Sequence, residues 1–125
     1  MAPPLDPCPS SPNCVSTEAP VDDHQHHMPA IPFTIPTQAV VHAIMDAIAE
    51  YPRTRIVSRD THYVHAEFRS RLFRFVDDVE LVVDPVARVV HFRSASRVGH
   101  SDFGVNRRRM EELSRTLHSR LAPRL

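Results

Sequence analysis

Arginine, serine and glycine residues are concentrated between positions 93 and 109 of this 125-residue chain. Both glycines of the sequence, Gly99 and Gly104, lie in this run, where they allow the backbone to turn sharply or to approach a ligand closely. Guanidinium groups bind phosphates and carboxylates through paired hydrogen bonds, and a helix starting beside them adds free N–H groups. The run therefore predicts a site for a small anion or an acidic segment of a protein partner. The expected ligand-binding residues are Arg93, Ser94, Ser96, Arg97, Gly99, Ser101, Asp102, Gly104, Asn106 and Arg107.

The main alternative is that the same arginines are used inside the protein. Aspartates at positions 77, 78 and 102 would supply the negative charge, and the resulting Arg–Asp pairs would lock an irregular loop. The domain would then be a protein-interaction or scaffold module with a structural ion-pair network. In the anion-binding alternative, the pocket itself is expected to be made by Arg93, Arg97, Ser101, Asn106 and Arg107.

A second group of reactive side chains lies near the N-terminus, where Cys8, Asn13 and Cys14 form a motif. The cysteines could be small buried residues or a reversible disulfide, they could bind a metal with histidines 24, 26 and 27, or Cys14 could be the nucleophile of a hydrolase or redox enzyme. The C-x5-C spacing departs from that of zinc sites, and no histidine stands out as a base. We therefore predict no catalytic residue, no metal site, no cofactor and a non-enzymatic role.

Three blocks of sequence carry a family resemblance. They are Cys8-Pro-Ser-Ser-Pro-Asn-Cys-Val-Ser-Thr17, Phe75-Val-Asp-Asp-Val-Glu80 and the arginine-rich run 93–109. In these blocks, and in their order, the chain resembles the domain-of-unknown-function family numbered 1499, which is found in bacteria and in plant plastids. The resemblance spans nearly the whole chain and implies a small α+β domain. It implies no activity, because none is established for the family.

Two amphipathic helices are predicted to position these groups. Apolar residues recur at helical spacing over 37–51, where Thr37 is the expected N-cap and Pro52 stops the run. A second apolar stripe runs over 106–121, where Asn106 is the expected N-cap. The arginines that follow Asn106 would stand in the first turn, where the helix dipole already presents partial positive charge. Such cations favour a nearby negative group.

Four strands are predicted between the helices. Residues 55–70 form a hairpin that turns at Asp60 and Thr61, and residues 76–83 and 88–95 form a second hairpin. The predicted element order is α-β-β-β-β-α. Short links between strands favour a four-stranded antiparallel sheet, with the two helices on one face and charged side chains on the other.

Composition divides the chain and excludes several functions. Residues 1–36 hold most of the prolines and are expected to be an extended Pro/His-rich arm, followed by a single α+β domain over 37–125. Fifteen basic and fifteen acidic residues cancel, which argues against nucleic-acid partners. All fifteen of these basic residues are arginines, so mechanisms that need a Schiff-base lysine or a P-loop lysine are excluded. No apolar stretch reaches the roughly 18 residues of a membrane span and no signal-peptide pattern is present, which favours a cytoplasmic location but leaves the localisation open.

Overall fold

The protein consists of an antiparallel β-sheet with two α-helices on one face. The structure is a computed structural model, which describes residues 5–70, 75–97 and 104–123. The helices are α1 (Thr37–Ala49) and α2 (Val105–Leu121). The strands are β1 (Cys14–Ser16), β2 (Ile31–Pro32), β3 (Thr54–Asp60), β4 (Tyr63–Arg69), β5 (Val76–Asp84) and β6 (Val89–Ser96). Within this part of the chain, neither helix has the length and apolar character that a membrane span requires. The predicted α+β class is confirmed.

Two consecutive hairpins make the centre of the sheet, whose strand order is β1-β6-β5-β4-β3, with β2 also paired to β6. These are the hairpins predicted between the helices. On β5, Val79, Leu81 and Val83 are at most 3 % exposed and face the helices, as the two-residue period of a strand requires. This inner face and the apolar stripes of both helices form one hydrophobic core. The opposite side of the sheet, which we call the outer face, carries the intervening polar residues of each strand.

The sheet has six strands rather than the predicted four, because the proline-rich arm adds β1 and β2 to β6. Cys14 pairs with Ala95, and Ile31 pairs with Val90. Apolar residues of the arm, including Val15 and Phe33, belong to the same core as the helices. Strands of three and two residues are too short to show an alternating pattern in the sequence. The element order is therefore β-β-α-β-β-β-β-α, and the predicted order lacked its first two strands.

Both helix N-termini differ from the prediction. The N-cap of α1 is Pro36 rather than Thr37, and no side chain bonds to the free N–H groups there. The N-cap of α2 is Gly104, whose φ of 78° lies in the left-handed region that favours glycine. Asn106 lies inside the first turn and is only 1 % exposed. Its amide therefore faces the sheet instead of capping the helix.

The left-handed conformation of Gly104 predicts how substitutions at this position change the free energy of unfolding. Gly104→Ala should lower the free energy of unfolding by about 1 kcal/mol, because a side chain with a β-carbon disfavours the left-handed region. The added β-carbon would also lie 3.2 Å from Nη1 of Arg108, a contact that the flexible arginine can relieve. A thermal melt should show a Tm lower by about 4 °C. Gly104→Asn should lose less, since asparagine tolerates this conformation, and equal losses for the two variants would show that φ is not the cause.

Candidate functional site

A buried polar network lies beneath the first turn of α2, where the three sequence blocks meet. The side-chain amide nitrogen of Asn106 donates to the carbonyl oxygen of Asn13 at 3.2 Å and to Oγ of Ser96 at 3.0 Å. Oγ of Ser94 donates to Oδ1 of Asn106 at 2.5 Å. Asn13, Ser94 and Asn106 are each at most 2 % exposed. A single amide therefore joins the cysteine motif, the end of β6 and the start of α2.

Arg109 extends this network to the second sequence block. Its Nη1 donates to Oδ1 of Asn106 at 3.0 Å and to Oγ of Ser94 at 3.3 Å, and its Nη2 pairs with Oδ2 of Asp77 at 2.7 Å. The guanidinium carbon also lies 4.9 Å from the ring centroid of Phe68, within cation–π range. The side chains of Arg109 and Asp77 are only 12 % and 9 % exposed. Arg109 was not among the site residues predicted from the sequence.

Arg107 holds the arm onto α2. Its Nη2 donates to the backbone carbonyl oxygens of His24 at 3.2 Å, Gln25 at 2.9 Å and His27 at 3.2 Å. Three carbonyl groups of one turn thus converge on one cationic nitrogen. This predicted ligand-binding arginine binds the chain's own backbone.

A second cluster of charges lies on the outer face, around the buried carboxylate of Glu67. Arg55 and Arg69 approach its Oε1 at 3.2 Å and 3.3 Å, and Nη2 of Arg97 approaches its Oε2 at 2.5 Å. Arg97 also pairs through Nε with Oδ2 of Asp78 at 2.8 Å. We call Arg55, Arg69 and Arg97 the guanidinium cluster. The hydrogen bond from Arg97, followed by the charge of Arg55, holds the pKa of Glu67 below its ordinary value, so this carboxylate is ionised at neutral pH.

Further polar pairs on the outer face surround the guanidinium cluster. Nε2 of His65 lies 2.8 Å from Oδ1 of Asp78, and the hydroxyl of Tyr63 donates to Oε2 of Glu80 at 2.6 Å. Burial, with the hydrogen bond to Glu80, raises the pKa of Tyr63 far above its ordinary value. The phenol therefore stays protonated and keeps donating to Glu80 at neutral pH. Both pairs link β4 to β5, the strands that carry Glu67, Arg69 and Asp78.

The residues predicted to form one anion pocket lie in separate places. Ser94, Ser96 and Asn106 belong to the buried network on the inner face, whereas Arg97 lies on the outer face. Arg93 also lies on the outer face, where its Nη2 is 3.4 Å from the carbonyl oxygen of Pro7. The described members thus do not converge on one pocket. Gly99, Ser101 and Asp102 lie outside the described residues.

Two of the three aspartates that were proposed to form an internal Arg–Asp network do pair with arginines. Asp77 pairs with Arg109 on the inner face, and Asp78 pairs with Arg97 on the outer face. Adjacent residues of a strand point to opposite faces, so the two aspartates of the second block stabilise the sheet from both sides. The third proposed aspartate, Asp102, lies outside the described residues.

Cys8 and Cys14 form a disulfide, with their Cα atoms 5.7 Å apart. This is one of the alternatives left open by the sequence. Cys14 is fully buried and bonded to Cys8, so in this state it carries no thiolate that could attack a substrate. Because Asn13 precedes Cys14, the bridge closes the loop whose backbone carbonyl accepts the bond from Asn106.

Comparison with known proteins identifies the family but no function. The family described as "Protein of unknown function (DUF1499)" matches residues 4–117, which is most of the chain, so the protein belongs to this family. The resemblance seen in the three sequence blocks is thereby confirmed. No curated protein matches the chain.

Proposed function

We propose that this DUF1499 protein is a non-enzymatic interaction module that binds an acidic segment of a partner protein at the guanidinium cluster. The observation that carries the proposal is the exposure of the three arginines. Their side chains converge on one buried carboxylate, yet they remain 63 % (Arg55), 47 % (Arg69) and 49 % (Arg97) exposed. A group of arginines that is fixed at its base and open to solvent is suited to binding carboxylates.

The charge balance of the cluster favours an acidic ligand. In the ion pairs of the cluster, three guanidinium groups face the two carboxylates of Glu67 and Asp78. Among the described residues, Arg69 gives only one side-chain hydrogen bond, to Glu67, whereas a guanidinium group has five N–H donors. The remaining donors can bind a partner carboxylate with paired, charge-assisted hydrogen bonds.

Glu67 also lowers the entropic cost of binding at this surface. Long side chains normally lose rotamer freedom when a partner immobilises them, at about 0.5–1.5 kcal/mol each. Here the hydrogen bonds to Glu67 already restrict Arg55, Arg69 and Arg97 in the free protein. The partner would therefore meet arginines that are largely in place.

An aromatic side chain at the same end of the sheet supports a protein partner over a small ion. Phe75 is 49 % exposed, and its backbone carbonyl accepts the N–H of Ser70 at 2.9 Å, directly after β4. Aromatic residues and arginine are enriched in the energetically important parts of protein interfaces. We therefore expect a partner segment that combines carboxylates with an apolar residue. The acidic segment and its contact with Arg97 were both predicted from the sequence, whereas Arg55 and Arg69 take the place of the predicted contacts at the start of α2.

A peptide titration tests the proposal. The probe is a fluorescein-labelled peptide of alternating glutamate and leucine, and its control is the same peptide with glutamine in place of glutamate. We expect anisotropy to show binding of the glutamate peptide that weakens as salt is added. Arg55→Gln combined with Arg69→Gln should raise Kd about tenfold, equivalent to about 1.4 kcal/mol. Arg59→Gln combined with Arg115→Gln removes the same charge from exposed positions elsewhere and should leave Kd unchanged.

Three results would overturn the proposal. The first is equal binding of the glutamate and glutamine peptides, and the second is an unchanged Kd in the Arg55→Gln, Arg69→Gln protein. The third is a Tm increase with inorganic phosphate or sulfate in the absence of any peptide binding, which would assign the cluster to a small anion.

A further inference from the structure

His26 lies in the arm between two hydrogen-bond acceptors. Its Nδ1 is 2.7 Å from Oδ2 of Asp23, and its Nε2 is 2.8 Å from the backbone carbonyl oxygen of Ser11. The side chain of His26 is only 8 % exposed, so water has little access to its ring nitrogens, whereas the side chain of Asp23 is 35 % exposed. A neutral imidazole carries one N–H and can donate to only one of these oxygens, whereas the imidazolium donates to both.

We propose that His26 is a protonation-dependent clasp, which as an imidazolium holds the disulfide loop and the turn after β1 together and loosens them when the proton is lost. The clasp joins segments that are separate along the chain. Ser11 belongs to the loop closed by the Cys8–Cys14 disulfide, and Asp23 belongs to the turn that follows β1. The backbone carbonyl of His26 also accepts the N–H of Ser16 in β1 at 2.7 Å.

The surroundings of His26 shift its pKa in opposite directions. Burial disfavours the imidazolium, but the hydrogen bonds to Ser11 and Asp23 outweigh it and hold the pKa of His26 above its ordinary value. Arg107, which reaches the neighbouring turn from α2, lowers that pKa by a smaller amount. The hydrogen bond from His26 in turn lowers the pKa of Asp23. His24 and His27 flank the clasp in sequence.

These directions fix the pH range in which the clasp stabilises the arm. A histidine whose folded pKa is raised contributes its full stability below its unfolded pKa of about 6.5, and it loses that contribution as the pH rises through the folded value. Asp23, whose folded pKa is lowered, contributes above about 3.9 and loses its share as the pH falls through its own folded value. The clasp is therefore closed in mildly acidic solution and opens on the alkaline side.

Imidazole NMR measures the clasp directly. In the intact protein with ¹⁵N-labelled histidines, both ring nitrogens of His26 should carry protons in mildly acidic solution, and the titration midpoint should lie above 6.5. Asp23→Asn keeps the ring and the fold of the turn but removes the carboxylate, so it should lower the midpoint. A midpoint at or below 6.5, or one that Asp23→Asn leaves unchanged, would overturn the proposal.

Thermal melting gives a second readout. Between pH 5 and 9, the Tm of the unaltered protein should fall relative to that of His26→Gln, since glutamine cannot gain or lose the proton. His24→Gln, which changes an exposed histidine of the same turn, should keep the pH dependence of the unaltered protein. Identical pH dependence in His26→Gln and the unaltered protein would contradict the clasp. If His26→Gln does not fold, the NMR midpoint of Asp23→Asn decides the question alone.

Discussion

Arg109→Met should lower the free energy of unfolding by about 3–5 kcal/mol, because it leaves the carboxylate of Asp77 buried without its cationic partner. Methionine retains most of the aliphatic length of arginine, so the loss of packing against Phe68 should be small. At about 4 °C per kcal/mol, the expected decrease in Tm is roughly 12–20 °C. A loss this large is a sizeable part of the total stability of a small domain.

A double variant separates the charge effect from other causes. Asp77→Asn combined with Arg109→Met removes both charges and should be more stable than Arg109→Met alone, because no buried ion is then unpaired. Arg115→Met, at an exposed position of the same helix, should change the free energy of unfolding by less than about 0.5 kcal/mol. If Arg109→Met melts within a few degrees of the unaltered protein, the pair is not a structural ion pair.

Asn106→Ala should cost about 2–3 kcal/mol, because it leaves buried polar groups of the arm, β6 and α2 without their shared partner. The backbone carbonyl of Asn13 loses one of its two donors and keeps the N–H of Ser96, whereas Oγ of Ser94 loses its acceptor. We expect a Tm decrease of about 8–12 °C in a thermal melt. The variant also tests the assignment of Asn106, since a residue that only bound a ligand could be truncated with little loss of stability.

The neighbouring position supplies the control. Val105→Ala lies in the same turn of α2 and truncates a side chain that is 39 % exposed, so it should have a much smaller effect than Asn106→Ala. Equal losses for the two variants would indicate a general weakness of this helix end rather than the network. A stable Asn106→Ala protein would return Asn106 to the list of ligand-binding candidates.

The hydrophobic period predicted the central hairpins, and the same period could have located the buried polar residues. Asn106 precedes Met110, Leu113 and Leu117 at helical spacing, so it lies on the buried stripe of α2. Asp77 stands two residues before Val79 and alternates with it toward the core. A polar residue in phase with an apolar stripe is thus a signal for an internal hydrogen bond. The preference of asparagine for N-cap positions is a weaker signal than this period, and it led to the wrong prediction that Asn106 is the N-cap of α2.

The guanidinium cluster could not be predicted, because it depends on strand register. Arg55 pairs with Glu67, and Glu67 pairs with Asp78, so three strands bring these charges into one row. The alternation of a strand assigns its faces but does not say which residue of the next strand lies opposite. A register shift between Ile56 and Ser58 adds a further irregularity that the residue pattern does not reveal.

The most direct test of acidic-segment binding at the outer face is a ¹H–¹⁵N spectrum of the labelled protein, recorded as the unlabelled glutamate–leucine peptide is added. We expect the amides that shift to cluster around Arg55, Glu67, Arg69, Phe75 and Arg97, and we expect the glutamine peptide to shift none of them. Shifts concentrated instead at the start of α2, around Asn106 and Arg107, would contradict binding at the guanidinium cluster.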